Sequence, residues 1–165
     1  MLPGGEVYSA LERGVIDAAE WVGPYEDEKL GFHKVAKYYY SPGWWEPGAS
    51  LSYYVGLKAW DKLPANYKAI FEAAAAEAGV KMQVRYDALN PPALKRLVEQ
   101  GVQLRTFSEE LMSAAQDTSM ALLEEHAAKD PAYRKIYESW RSWRALSFDW
   151  FSEAELDYSS FAFRR

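Results

Sequence analysis

Apolar residues recur at steps of three or four through the middle of the chain, and this spacing constrains the fold more than any other feature. Between Pro64 and the following prolines the repeated positions are Tyr67, Ile70, Phe71, Ala74, Ala78, Met82, Tyr86 and Leu89. The period is that of an α-helix, and the alanines at 73–76 have the highest helix propensity. The sequence therefore predicts a long helix from Pro64 that ends or kinks at Pro91-Pro92, with a continuation to Gln100.

Other helices are predicted from their caps. Ser108 is a typical N-cap residue, and Asp130-Pro131 combines an N-cap with a proline at the first helical position. The sequence Ser152-Glu153-Ala154-Glu155 has the spacing of a capping box, which predicts that a further helix begins there. Shorter helices are expected at residues 5–13 and 25–35 from their spacing and their flanking breaks.

Four short runs of β-branched or aromatic residues predict strands. They lie at residues 15–20, 38–40, 51–55 and 102–106. Because helical segments outnumber these runs, the predicted class is helix-rich α/β.

The organisation of the chain is predicted in three parts. Residues 1–63 would hold most of the predicted strands. Residues 64–130 would hold the long helix, a short strand and the following helix. Residues 131–165 would supply aromatic helices for association, since 16% of the chain is aromatic and such residues are enriched at pockets and interfaces.

Composition excludes several classes of site. The chain has no cysteine and two histidines, so thiol nucleophiles and thiolate or His-rich metal sites are excluded. Its net charge of −5, with both signs interspersed, argues against a duplex nucleic acid partner. No apolar stretch is long enough to span a membrane. Catalytic signatures such as GxSxG and HExxH are absent from the sequence, which predicts that the protein is not an enzyme.

The first candidate site is the sequence Asp17-Ala18-Ala19-Glu20-Trp21-Val22-Gly23-Pro24. A carboxylate and a large aromatic residue precede a backbone break, and carbonyls beside such a break can face a ligand or an ion. The alternative is a strand end with a surface glutamate and a core tryptophan.

The second candidate site is Trp44-Trp45-Glu46-Pro47-Gly48. Neighbouring residues of a strand alternate between its faces, so one of the two tryptophans should line a second surface. A carboxylate such as Glu46 is costly to bury among aromatic residues unless it is paired or binds a metal. Hard cations such as Na⁺ and Ca²⁺ accept carboxylate and carbonyl oxygens. The alternative is a solvated glutamate in a turn.

A third candidate is the aromatic stripe of residues 133–143, which is interleaved with Arg134, Arg141 and Arg144. Such a pattern can bind single-stranded nucleic acid. The helical spacing of the aromatic residues and the acidic total charge favour an amphipathic helix packed on a partner instead.

Three motifs carry a resemblance to a known family. They are Gly4-Gly5-Glu6-Val7-Tyr8, the run Leu11–Trp21, and Trp44-Trp45-Glu46-Pro47-Gly48. With these motifs the chain resembles the C-terminal half of the solute-binding proteins of tripartite ATP-independent periplasmic (TRAP) transporters. It is most similar to the branch that binds 2-oxo acids and lactate.

The resemblance implies part of a lobe of a two-lobed periplasmic binding protein, with a long lobe-spanning helix and a C-terminal helical dimerisation arm. It implies that the Glu20 carboxylate, the Trp21 carbonyl and a Glu46 oxygen bind Na⁺ or Ca²⁺. Trp21 and Glu46 would also line the ligand site. In the family an arginine that clamps the ligand carboxylate lies in the other half.

Two functions follow as expectations. The first is a fragment or truncated homologue of a protein that captures small monocarboxylates for membrane permease subunits, working as a homodimer or higher oligomer. The alternative is a self-associating helical module that has lost ligand binding. A hydrolase or lyase that uses Glu20 and Glu46 lacks a supporting nucleophile or base.

The localisation expected from the resemblance is the periplasm for the full-length relative. Residues 1–5 have neither the basic nor the apolar region of an export signal. The sequence as written therefore predicts either a cytoplasmic chain or a piece of a longer protein.

Overall fold

The structure of the protein is a computed structural model that describes residues 2–44, 48 and 51–164. The helices of the described residues are α1 (Gly4–Glu12), α2 (Pro24–Leu30), α3 (Leu57–Asp61), α4 (Ala65–Glu99), α5 (Glu109–Lys129), α6 (Pro131–Phe151) and α7 (Asp157–Ala162). The strands are β1 (Tyr38–Ser41) and β2 (Gln103–Thr106), with a 3₁₀ turn at Phe32–Lys34 and a π-helical segment at Ser152–Leu156. This confirms the helix-rich α/β class. The residues form two compact units, Met1–Phe107 and Ser108–Arg165.

The sheet of the first unit pairs two of the predicted strands in parallel. Tyr38 lies opposite Gln103 and Ser41 opposite Thr106. The backbone also bonds at both ends of the pair, from Gln103 N to Lys37 O at 2.8 Å and from Phe107 N to Ser41 O at 3.2 Å. The aromatic run at 38–40 and the run at 102–106 were therefore predicted as strands correctly.

The strands predicted at 15–20 and 51–55 are wrong. Neither segment is a strand, and neither pairs with β1 or β2. A strand needs a neighbouring strand for its backbone groups. At the start of the first segment, the amides of Val15 and Ile16 instead donate to the Ala10 carbonyl, at 2.8 and 3.4 Å. These bonds close the end of α1, where Gly14 has the positive φ of a helix-ending glycine.

Helix α4 continues through Pro91 and Pro92, so the prediction that a helix could end there is wrong, while the predicted continuation is confirmed. The two prolines lack amide hydrogens for the carbonyls one turn earlier. The turn that follows carries the deepest packing of the unit, with Ala93 fully buried and Leu97 2% exposed. Burial of this turn stabilises the helix beyond the prolines.

The second unit is built around two helices of equal length, α5 and α6, each of 21 residues. Both predicted caps are confirmed. The Ser108 hydroxyl accepts a hydrogen bond from Leu111 N, and the Asp130 carboxylate accepts from Ala132 N and Tyr133 N. Ala127 of α5 and Tyr137 of α6 are buried.

The capping box predicted at Ser152 is wrong. The chain remains helical from Phe151 through the π-helical segment into α7, and Ser152 makes no side-chain cap. Its hydroxyl donates instead to the Asp149 carbonyl at 3.0 Å. A serine inside a helix can satisfy its hydroxyl in this way without ending the helix.

No helix among the described residues is long and apolar enough to cross a bilayer.

Candidate cation and ligand site

The predicted residues Glu20 and Trp21 lie in the non-helical segment between α1 and α2. Glu20 is exposed, and Trp21 is half-buried. The Trp21 ring meets the ring of Phe32 edge-on, with the centroids 5.4 Å apart. The ring centroid of Phe32 in turn lies 6.3 Å from the ring centroid of Tyr8 in α1. The aromatic side chain is therefore held between α1 and the 3₁₀ turn while the neighbouring carboxylate remains open to solvent.

Gly4, the first residue of α1, makes room for the Trp21 ring. A Cβ at Gly4 would lie 2.9 Å from Trp21 Cη2, whereas a Cβ at Gly5 would meet nothing within 4 Å. The first distance is too short for a carbon–carbon contact, so Gly4 determines how closely the ring approaches the helix.

Substitution of the two glycines tests this packing. We expect Gly5→Ala to stabilise the chain by about 0.5–1 kcal/mol, because alanine loses less backbone entropy in a helix. The free energy of unfolding of Gly4→Ala should be lower than that of Gly5→Ala by about 1 kcal/mol or more, because the new Cβ at position 4 displaces the Trp21 ring. Urea unfolding measures both, and equal stability of the two variants would contradict the packing.

The backbone break after Trp21 is tied to the first turns of α2. Gly23 N donates to Asp27 Oδ1 at 3.3 Å, and Asp27 N donates to the Gly23 carbonyl at 2.9 Å. Gly23, with a φ of 156°, is the N-cap residue of α2, and Pro24 is the first residue of the helix. This reciprocal pair of bonds fixes the backbone two residues after Trp21.

The second oxygen of the same carboxylate reaches the sheet. Tyr39 of β1 donates its hydroxyl hydrogen to Asp27 Oδ2 at 2.5 Å. Asp27 is 7% exposed and is the one buried charged side chain among the described residues. Burial raises the pKa of Asp27 above its ordinary value of 3.8, and the bonds from Tyr39 and from the Gly23 and Val22 backbone lower it by less. Burial and the nearby carboxylate likewise raise the pKa of Tyr39.

The raised pKa of Asp27 has a definite consequence for stability. When the pKa of a carboxyl group is higher in the folded than in the unfolded chain, the group stabilises the folded state at low pH. This contribution is complete below about pH 4, the pKa in the unfolded chain, and is lost as the pH rises through the pKa in the folded chain. We therefore expect the advantage of the native chain over Asp27→Asn to be largest near about pH 4 and to shrink toward about pH 7. Urea unfolding of both proteins across this range measures the difference, and a gap that widens with pH would contradict it.

Helix α2 is also attached to α4. Tyr25 N donates to Asn90 Oδ1 at 3.1 Å, just before the two prolines. Arg96 donates to both oxygens of Glu28, at 2.8 and 2.6 Å, and these bonds lower the pKa of Glu28. These contacts attach helix α2 to the long helix α4.

Glu46, the third predicted ligand, lies outside the described residues, as do Trp45 and Pro47. Among the described residues no group of three histidine, cysteine, aspartate or glutamate side chains converges as a metal site. The donor chemistry of Glu20 and the Trp21 carbonyl, an open carboxylate beside a backbone oxygen, fits Na⁺ or Ca²⁺.

The supporting residues Asp27 and Asn90 were not predicted from the sequence. Asp27 reads as one member of an acidic first helical turn, which suits the positive end of the helix dipole. Asn90 reads as a helix-ending residue before prolines. A pairing across 65 residues, as between Asn90 and Tyr25, leaves no signal in a single sequence.

Known proteins are similar to this chain over nearly its whole length. The family of bacterial extracellular solute-binding proteins, family 7, matches residues 1–130. A monocarboxylate 2-oxoacid-binding periplasmic protein of Nostoc sp. is 52% identical over 162 residues, which are 98% of this chain and 44% of that protein.

Two solved structures share the fold. A TRAP transporter solute-binding protein from Bordetella bronchiseptica, a mixed-occupancy dimer with copurified calcium and picolinate in one site, has a TM-score of 0.93 and 48% identity. The match covers 98% of this chain and 49% of that one. A TRAP periplasmic solute-binding protein from Pseudoalteromonas atlantica with bound sodium and pyruvate has a TM-score of 0.87 and 40% identity, covering 95% and 48%.

The chain spans about half the length of these relatives. Its family match covers most of its residues, and its backbone fold agrees with that of the Bordetella structure over the shared half. The chain therefore belongs to family 7 of the bacterial extracellular solute-binding proteins.

Proposed function

We propose that this chain supplies the cation-binding part of a periplasmic protein that captures small monocarboxylates for a TRAP membrane permease. The Glu20 carboxylate and the Trp21 carbonyl bind Na⁺ or Ca²⁺, and Glu46 contributes another oxygen. The Trp21 ring and Glu46 line the ligand site. The observation that carries the proposal is an exposed Glu20 next to Trp21, whose ring packs on Phe32, in a segment whose Gly23 amide bonds to Asp27.

The chemistry of the ligand follows from the cation. Hard cations take carboxylate and carbonyl oxygens, and a protein that provides a few of them leaves positions for a ligand. A 2-oxo or 2-hydroxy acid offers a carboxylate and an adjacent oxygen, which together can fill two such positions. Two protein carboxylates at one site would repel each other without the cation, so cation and ligand binding should be coupled.

The relatives support this ligand class. Pyruvate, bound with sodium in the Pseudoalteromonas protein, is a 2-oxo acid. Picolinate, bound in the Bordetella protein with calcium, has a ring nitrogen adjacent to its carboxylate. Both compounds present two donor atoms at the same spacing, which is the pattern a partly coordinated cation selects. In this proposal the chain binds and releases its ligand without converting it chemically.

Titration calorimetry with pyruvate and picolinate, with and without Ca²⁺, tests the proposal. One sample is the 165-residue chain, and the second joins it to the half of the Bordetella relative that lies outside the match; this second protein is called the completed protein. We expect the chain alone to bind more weakly than about 1 mM, or about −4 kcal/mol, because the arginine clamp of the family lies in the other half.

The completed protein should bind both acids in a Ca²⁺-dependent manner. Binding by the completed protein that is equally strong without any cation would contradict the proposed role of Glu20 and Trp21. Micromolar binding by the chain alone would show that it is a complete receptor.

Self-association is a second candidate function, and a specific surface favours it. Ile136, Trp143 and Trp150 recur at seven-residue spacing on one face of α6, and their exposed fractions are 71%, 67% and 66%. Phe161 and Phe163 near the end of the chain are also exposed. The exposed side chains of Ile136, Trp143 and Trp150 on α6 are called the C-terminal aromatic surface, and apolar surfaces of this kind mark interaction sites.

A further inference from the structure

The Glu20–Trp21 segment and strand β1 are both bonded to one buried carboxylate, that of Asp27. The Glu20–Trp21 segment continues to Gly23, whose amide donates to Asp27 Oδ1. Strand β1, from which the chain continues to Glu46, provides the Tyr39 hydroxyl that donates to Asp27 Oδ2. One side chain of α2 therefore bonds to both segments at the same time.

We propose that Asp27 is a positioning residue that couples the Glu20–Trp21 segment to strand β1. This inference rests on the proposed function, because the coupling matters for binding only if Glu20, Trp21 and Glu46 bind the cation. Asp27 touches neither ion nor ligand in this arrangement. It acts through the Gly23 backbone on one side and through Tyr39 on the other.

The energetics of Asp27 agree with a positioning role. Its burial raises its pKa, so the ionised form is disfavoured in spite of its hydrogen bonds. A buried charge of this kind adds little to the free energy of folding, and buried polar groups can instead specify one arrangement of the parts they join. Its two oxygens accept from two donors in different elements, which an apolar residue could not do.

Three substitutions separate positioning from stability. Asp27→Asn leaves a single acceptor oxygen for the two donors, and Tyr39→Phe removes the donor on β1 alone. Glu28→Gln is the matched control. Glu28 lies next to Asp27 in the same helix, and the substitution weakens its bidentate bond to Arg96 but removes neither the Gly23 bond nor the Tyr39 bond of Asp27.

Amide hydrogen exchange of the 165-residue chain is the first measurement. The exchange rate of the peptide that contains Gly23 is divided by the exchange rate of the peptide that contains Leu97. Leu97 is buried in the core, so its rate reports opening of the whole unit and the ratio reports local opening at Gly23. We expect the ratio to rise about tenfold or more in Asp27→Asn and in Tyr39→Phe, and to stay within about twofold in Glu28→Gln. The effect of Tyr39→Phe is decisive, because Tyr39 makes no described hydrogen bond with Gly23 itself.

Calcium affinity of the completed protein is the second measurement. Asp27→Asn and Tyr39→Phe should weaken Ca²⁺ binding about tenfold, while Glu28→Gln should change it by less than about twofold. An unchanged exchange ratio in Tyr39→Phe would overturn the coupling, as would native calcium affinity in both variants. If the unsubstituted completed protein binds no cation while the exchange ratios rise as expected, the proposed function fails and the structural coupling stands.

Discussion

Replacing Glu20 with alanine is expected to weaken cation-dependent pyruvate binding by the completed protein about 100-fold, a loss of about 2.7 kcal/mol. The substitution removes a charged oxygen ligand, and a hard cation compensates poorly for such a loss with water. Because the ligand completes the coordination of the cation, its affinity should fall together with that of Ca²⁺. Calorimetric titration of Ca²⁺, and of pyruvate at a fixed Ca²⁺ concentration, measures both.

Two further variants make the result specific. Glu12→Ala removes an exposed carboxylate at the end of α1 and should leave both affinities unchanged. Glu20→Gln keeps an oxygen donor without its charge, so it should weaken Ca²⁺ binding more than Na⁺ binding, because the divalent ion gains more from the charge. Native binding by Glu20→Ala would place the cation elsewhere.

The sheet shows what local pattern can and cannot predict. Residues 38–40 and 102–106 were predicted as strands, and they pair with each other. The apolar runs at 15–20 and 51–55 gave the same signal but have no strand beside them among the described residues. A strand depends on a partner elsewhere in the chain, so its pattern shows the capacity to pair and not whether pairing occurs.

The helices show the same limit at their ends. Ser108 and Asp130 cap helices because their side chains bond to amides only two or three residues away, which a sequence reveals directly. Ser152 has an equally good capping sequence but lies within a continuous helical path. The choice between starting a helix and continuing one depends on the preceding turn and not on the motif alone.

The candidate site divides in a similar way. Glu20 and Trp21 were proposed as cation ligands from contiguous residues that resemble a family, and their role as ligands stays a prediction. Their support could not be predicted, because Asp27 meets Tyr39 across 12 residues and Tyr25 meets Asn90 across 65. Aspartate and asparagine beside a helix end are ordinary in composition, and only the fold shows which partners they reach.

Replacing Trp143 with glutamate is expected to shift the chain from dimer to monomer. Trp143 lies at the centre of the seven-residue spacing on α6, and the unit that contains it leaves the residue two-thirds exposed. A buried tryptophan at the centre of an interface contributes about 2–4 kcal/mol, so the dissociation constant should rise about 30-fold or more. Sedimentation velocity at about 10 μM, a concentration typical for weak to moderate dimers, measures the shift.

The matched control is Ala145→Glu, which adds the same charge to the same helix at an exposed position away from that spacing. It should leave the dimer intact, because its side chain points to a different face. Dissociation in both variants would indicate a general effect of charge, and a monomeric unsubstituted chain would contradict association through the aromatic surface. The selective loss with Trp143→Glu would mean that this surface, and not the cation site, joins two copies, so ligand capture and assembly could be altered separately by substitution.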